Sequence, residues 1–133
     1  MDVALYIRDE GGYELILRAL QHYRLRLRTI SKSPELESAA MFVQILQQES
    51  MKTIPSIDVL LKTIPLFLHD PSLHINKIID DIPLIKKALD SYCSGIRKAL
   101  DSKSEYYVKL LGNLATNEEL ENAINTSYRL VIK

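Results

Sequence analysis

The stretch Tyr13 to Ile30, Tyr-Glu-Leu-Ile-Leu-Arg-Ala-Leu-Gln-His-Tyr-Arg-Leu-Arg-Leu-Arg-Thr-Ile, constrains the fold more than any other part of the chain. Tyr13, Ile16, Leu20, Tyr23, Leu27 and Ile30 recur at three-four spacing, which at about 100° per residue draws one continuous apolar stripe along a helix. Leu15 and Leu25 fall outside that stripe, on the side the spacing predicts to be wet. A helix with apolar residues on a second side either runs through the middle of a bundle or offers that side to a partner.

The segments around it are also helical in pattern. Residues 2 to 8 alternate apolar positions at Val3, Leu5 and Ile7, but the chain has no second strand candidate, and Gly11-Gly12 suits the stop of a short helix. The glycine pair reads as a joint, since it lacks the spacing and the lysine of a phosphate loop. Ser33-Pro34-Glu35 predicts a restart, with Ser33 as cap, Pro34 at the first helical position, and Glu35 and Glu37 at the positive end of the dipole. The second helix should reach about Thr53 with a seam of Leu36, Ala39, Val43 and Leu46, broadened by Phe42 and Ile45 and extended by Met51 and Ile54. The short linker puts it beside the first, antiparallel.

Pro55, Pro65, Pro71 and Pro83 should then divide residues 55 to 83 into short pieces, each proline removing an amide donor and crowding the preceding turn. Ser56 is the expected cap of one piece, with Pro65 ending or kinking it, and Asp70-Pro71 the cap and first position of another. About Pro83 to Leu100 the pattern is cleanest, with Ile82, Ile85, Leu89, Tyr92, Ile96 and Ala99 inward. Tyr106, Leu110, Leu111 and Leu114 mark a further helix. Thr116-Asn117-Glu118-Glu119 opens the last as a capping box, in which threonine and glutamate satisfy each other's amides.

Composition narrows the function classes. An apolar fraction of 47% with 26% charged residues predicts an ordered globular chain, and 133 residues suit one helical domain spanning 1–133. The formal charge is zero, so no global field draws the chain to nucleic acid or to an anionic membrane. The one cysteine, Cys93, rules out an internal disulfide and points to a cytoplasmic protein. There is no basic leader and no long apolar run, so no membrane segment is expected.

Chemistry-bearing motifs are sparse. His69-Asp70 resembles the metal-binding pair of the HD-type phosphohydrolases, which are also all-helical. That resemblance implies a metal-dependent phosphohydrolase with divalent metals held by these two residues, by His22 upstream and by Asp81 or Asp101 downstream. It covers two residues, and Pro71-Ser72-Leu73 follows where that family has small residues and lysine. Asp70 is accounted for as a helix cap, so no metal or cofactor is expected. His69 and His74 do not share a helical face. No glutamate has histidine three residues on, as a di-iron bundle would need. Cys93, on an apolar seam without a paired base, reads as a small hydrophobe, and no catalytic residue is assigned.

The basic run around His22-Tyr23-Arg24-Leu25-Arg26-Leu27-Arg28 remains. Residues 1 to 34 hold six Lys or Arg against four Asp or Glu, a surplus of two, which is thin for phosphate binding. At helical angles Arg18, Arg26 and Arg28 spread over the polar half, with Arg24 at the edge of the apolar stripe. The sequence therefore predicts an all-α single bundle of about five or six helices with a proline-broken middle. Its expected role is a non-enzymatic interaction module that forms a homodimer or joins another protein through Leu15, Arg18, Leu25, Arg26 and Arg28. The alternative is a nucleic-acid-associated protein using Arg18, Arg24, Arg26, Arg28 and Lys32.

Overall fold

The computed structural model describes residues 2–34 and 40–130. Among them lie seven α-helices and no strand: α1 Asp2–Asp9, α2 Gly12–Arg28, α3 Val43–His69, α4 Pro71–Asp80, α5 Ile82–Asp101, α6 Glu105–Leu111 and α7 Asn117–Arg129, with 3-10 turns at Ile30–Lys32, Ala40–Phe42 and Gly112–Leu114. This is the expected all-α bundle, with one helix more than the five or six anticipated. None of the described helices is long and apolar enough to cross a membrane.

α2 is the centre, packing against α1, α3, α5, α6 and α7. Ile16 and Leu20 are fully buried, while Tyr13, Tyr23 and Leu27 pack against the core from its edge. Leu15 corrects the expectation of a wet second side: it is only 6% exposed, because α1 and α7 pack across that end of α2. Leu25 stays outside, 43% exposed. The middle-of-a-bundle geometry thus accounts for Leu15 and leaves Leu25 on the surface. α5 buries every residue of its predicted seam, Ile82, Ile85, Leu89, Tyr92, Ile96 and Ala99.

The joint between α1 and α2 needs both glycines. Gly11 has φ 78°, a left-handed backbone that a side chain strains. At Gly12 a β-carbon would sit 2.4 Å from the Tyr6 ring. That ring is held in place: its hydroxyl is 2.6 Å from Thr126 Oγ1, and Arg129 of α7 lies 4.5 Å over its face while pairing with Glu10 at 2.9 Å. α1 is thereby folded back onto α2 and fastened to α7.

The proline-broken middle is the main departure from expectation. α3 runs unbroken from Val43 to His69 through both Pro55 and Pro65, with Ser56 inside it and not capping it. Both prolines are exposed. On the solvent side a proline ring has room, and a carbonyl left without an amide partner can be satisfied by water. Meanwhile Ile57, Leu60, Ile64 and Phe67, each 1% exposed or less, hold the inner side. Pro71 and Pro83 sit at the starts of α4 and α5, where the missing amide costs nothing. Asp70 precedes α4 as foreseen, although its carboxylate accepts from Ser72 Oγ at 3.3 Å and makes no cap hydrogen bond.

Where the second helix was anticipated, α3 begins at Val43 directly after the 3-10 turn Ala40–Phe42. Glu35, Leu36, Glu37 and Ala39 lie outside the described residues. Val43 and Leu46 are half-buried, but Phe42, Ile45 and Met51, expected to broaden and extend the seam, are exposed. Between residues 43 and 56 only Ser50 is buried, so α3 is anchored by its C-terminal half.

Gly12→Ala tests the joint. The variant should lose about 1–3 kcal/mol in chemical denaturation, the usual cost of overpacking against a fixed ring. An unchanged midpoint would show that Tyr6 is free to move aside.

Candidate functional site

Three of the four arginines of α2, Arg18, Arg24 and Arg26, pair with side chains of other helices. Arg18 donates through Nε to Glu119 Oε2 at 2.8 Å and through Nη2 to Oε1 at 3.2 Å, a two-pronged pair between α2 and α7. Tyr92 of α5 donates its hydroxyl to the same carboxylate. Glu119 is 8% exposed and Tyr92 fully buried. Burial first, and then the hydrogen bond to Glu119, push the Tyr92 phenol far above its ordinary value, and the Glu119 carboxylate holds the Arg18 guanidinium up. Half of the predicted capping box is present: Thr116 Oγ1 accepts from the Glu119 amide at 3.0 Å. The carboxylate does not reach back to the threonine, because Arg18 and Tyr92 hold it instead. A cap that is local in sequence thus aims a side chain across the bundle.

Arg24 and Arg26 are also engaged. Arg24 Nε is 2.5 Å from Asp58 Oδ1, joining α2 to α3, and this hydrogen bond lowers the Asp58 carboxyl, with Lys62 and Arg28 adding to the effect. Arg26 donates to Ser91 Oγ at 2.9 Å and to the Tyr107 hydroxyl at 2.8 Å, with its guanidinium 5.1 Å from the centre of that ring. Arg28 and Lys32 remain exposed. Of the five cations in the nucleic-acid alternative, Arg18, Arg24 and Arg26 therefore serve to join helices. Of the five residues in the first interaction reading, Leu15 is buried, Arg18 and Arg26 are engaged inside the fold, and only Leu25 and Arg28 face outward.

His22 lies in the core beside this network. It is 6% exposed, tilts against the Tyr92 ring at 5.3 Å between centroids, and touches the space over Gly95, where a β-carbon would come within 3.1 Å of its Cε1. Neither ring nitrogen has a hydrogen-bond partner among the described residues. Burial, helped by Arg26, lowers its pKa from 6.5 to about 4, so the ring is neutral in the fold. His69 is exposed at the end of α3, with Asp70 beyond it, far from this buried position in sequence and environment. Among the described residues no group of three or more His, Cys, Asp and Glu is placed to hold a metal ion.

Two clefts open on α7. One of about 230 Å³ lies at the α1–α2 joint, with Glu10, Glu14, Arg18, Asn122 and Asn125 in its lining. The other, about 390 Å³, lies between α5 and α7 over Asp90, Cys93, Arg97, Ile124 and Tyr128. Burial pushes the Cys93 thiol up, so it is no thiolate nucleophile at neutral pH.

The most pronounced surface feature is on α3 and the turn before it. Met41 is 80% exposed, Phe42 52%, Ile45 55% and Met51 74%. The sequence contains this group plainly, but a three-four pattern marks an apolar face without saying whether another helix covers it. The chain matches no family model, no curated protein and no solved structure.

The buried histidine gives a pH prediction. Its pKa is depressed in the fold, so the unfolded chain takes up its proton first: stability is full above about pH 6.5 and falls toward pH 4. Denaturation midpoints should show a loss of about 2 kcal/mol between pH 7 and pH 5, before most carboxylates titrate. His22→Leu should flatten that slope; a slope unchanged in the variant would place the acid sensitivity elsewhere.

Proposed function

We propose that this chain is a non-enzymatic protein–protein interaction module whose docking surface is the outer face of α3's N-terminal part and the turn leading into it. The observation that carries the reading is the exposure of Met41, Phe42, Ile45 and Met51 within eleven residues, on the half of α3 that contributes only Ser50 to the interior. Large apolar side chains left exposed so close together in the chain are costly to leave in water and mark sites that another surface covers. Met and Phe are also enriched where proteins meet.

The first long helix, the surface expected from sequence, offers little to a partner. α2 holds the bundle together with its arginines, leaving Leu25 as a single exposed apolar residue between Arg24 and Arg26. The same engagement of Arg18, Arg24 and Arg26 removes support from nucleic-acid binding. A cytoplasmic setting belongs to this reading and rests on the single buried cysteine.

A photo-crosslinking residue placed at Ile45 tests it in living cells, with Leu73 of α4, 72% exposed, as the comparison site. Discrete adducts at position 45 that are absent at position 73 are expected. No adduct at 45, or the same diffuse adducts at both, would overturn the proposal.

A further inference from the structure

We propose that His22 makes α6 an acid-sensitive latch: when the imidazole takes up a proton, α6 swings off α2 and α5 about the residues at its two ends while the rest of the bundle stays folded. This device is separate from the docking surface on α3.

A polar group shut away from water ordinarily finds a hydrogen-bond partner, and the two ring nitrogens of His22 have none among the described residues. The ring sits in a tight space. A β-carbon at Gly95 of α5 would come within 3.1 Å of its Cε1 and 3.6 Å of Leu111 Cδ1, so α5 forms one wall and α6 another. The groups on the surrounding elements offer nothing to an imidazolium. Arg26, one turn along α2, is itself a cation and bears on the ring. Arg18 is committed to Glu119 of α7, which also accepts from Tyr92 of α5. Tyr107 of α6 accepts from Arg26 and lies 5.1 Å from Lys98 Nζ of α5, and burial keeps the Cys93 thiol neutral. Asp58 of α3 is held by Arg24, while Glu105 pairs with Lys109 at 3.0 Å on the exposed side of α6. A proton on His22 in the closed bundle therefore sets a second positive charge beside Arg26, away from water.

That charge reaches water by displacing the wall that is least anchored. α6 gives Tyr107 and Leu111 to the interior, against six buried residues on α2 and nine on α5. It is also bounded by two left-handed residues, Lys103 at φ 49° before it and Gly112 at φ 55° after it. Lys103 is the one residue other than glycine with positive φ among those described, so its backbone carries strain that moving α6 relieves. Short elements with few buried residues open locally more readily than the core around them. Burial, helped by Arg26, lowers the His22 pKa from 6.5 to about 4 in the closed bundle. Once open, the ring regains its ordinary affinity for a proton, so opening gains as pH falls below 6.5 and gains no further below about pH 4.

Hydrogen exchange of the purified chain, read as protection factors at pH 7.5 and pH 5 with and without a little urea, tests the latch. Amides of α6 should exchange through an opening that urea barely affects and should lose about 30-fold in protection at the lower pH, the effect of one proton over about 1.5 pH units. Amides of α4, whose local opening leaves His22 buried, should keep theirs. His22→Leu should abolish the loss in α6. Independently of any variant, the His22 ring signal in a nuclear magnetic resonance titration of the wild-type chain should move well below pH 6. An α6 whose protection does not change with pH, or matches that of the centres of α2 and α5 at both pH values, would overturn the proposal, as would a His22 ring that titrates at its ordinary 6.5 or a loss that persists in His22→Leu.

Discussion

The carboxylate of Glu119 is the group on which the arrangement of this bundle most depends. It receives a two-pronged arginine from α2 and a phenol from α5, while its own backbone amide is capped by Thr116 at the start of α7. Three helices that are far apart in sequence are thereby joined at one buried point. A carboxylate in such a place is stable only with its partners, since an unpaired buried charge costs far more than the pair contributes. Arg18 in turn fixes the rotation of α2 about its axis. With that rotation set, Leu15 faces α1 and α7, Arg24 meets Asp58, and Arg26 meets Tyr107.

The polar chemistry of the central helix is therefore structural. Arg18, Arg24 and Arg26 join helices, and its histidine is neutral, buried against Tyr92 and without a hydrogen-bond partner among the described residues. The proposed docking surface lies where the interior makes the least claim, along the first turns of α3. The two exposed prolines do not interrupt that helix, which runs on past the core's edge. An amphipathic helix anchored at one end leaves apolar residues uncovered at the other, here Ile45 and Met51, with Met41 and Phe42 in the turn before it.

What could be read from sequence was local. The seam of α5 follows directly from three-four spacing, the glycine pair from the absence of any loop chemistry, and the starts at Pro71 and Pro83 from residues within one turn. The failures were all non-local. Glu119 and Arg18 are 101 residues apart, so the capping box showed its local half and concealed the destination of its side chain. Leu15 seemed to belong to the wet side because periodicity gives angles about one axis and says nothing of a helix folding back across it. Pro55 and Pro65 read as breaks because the penalty of proline was weighed without the packing of Ile57, Leu60, Ile64 and Phe67 on the opposite side. The Ile45 face was visible as apolar, and its expected seam residues Leu36 and Ala39 lie outside the described residues, but exposure is a property of the assembled fold.

The most direct test of the central clamp is a double-mutant cycle between Arg18→Met and Glu119→Leu, measured by chemical denaturation. Removing either partner alone leaves a charge without its counterpart, whereas removing both substitutes apolar packing. The account predicts that the double variant is less destabilised than the sum of the single changes by about 1.5 kcal/mol or more. Additivity to within about 0.5 kcal/mol would mean that the two residues do not act together, and that α2, α5 and α7 are held by apolar packing alone.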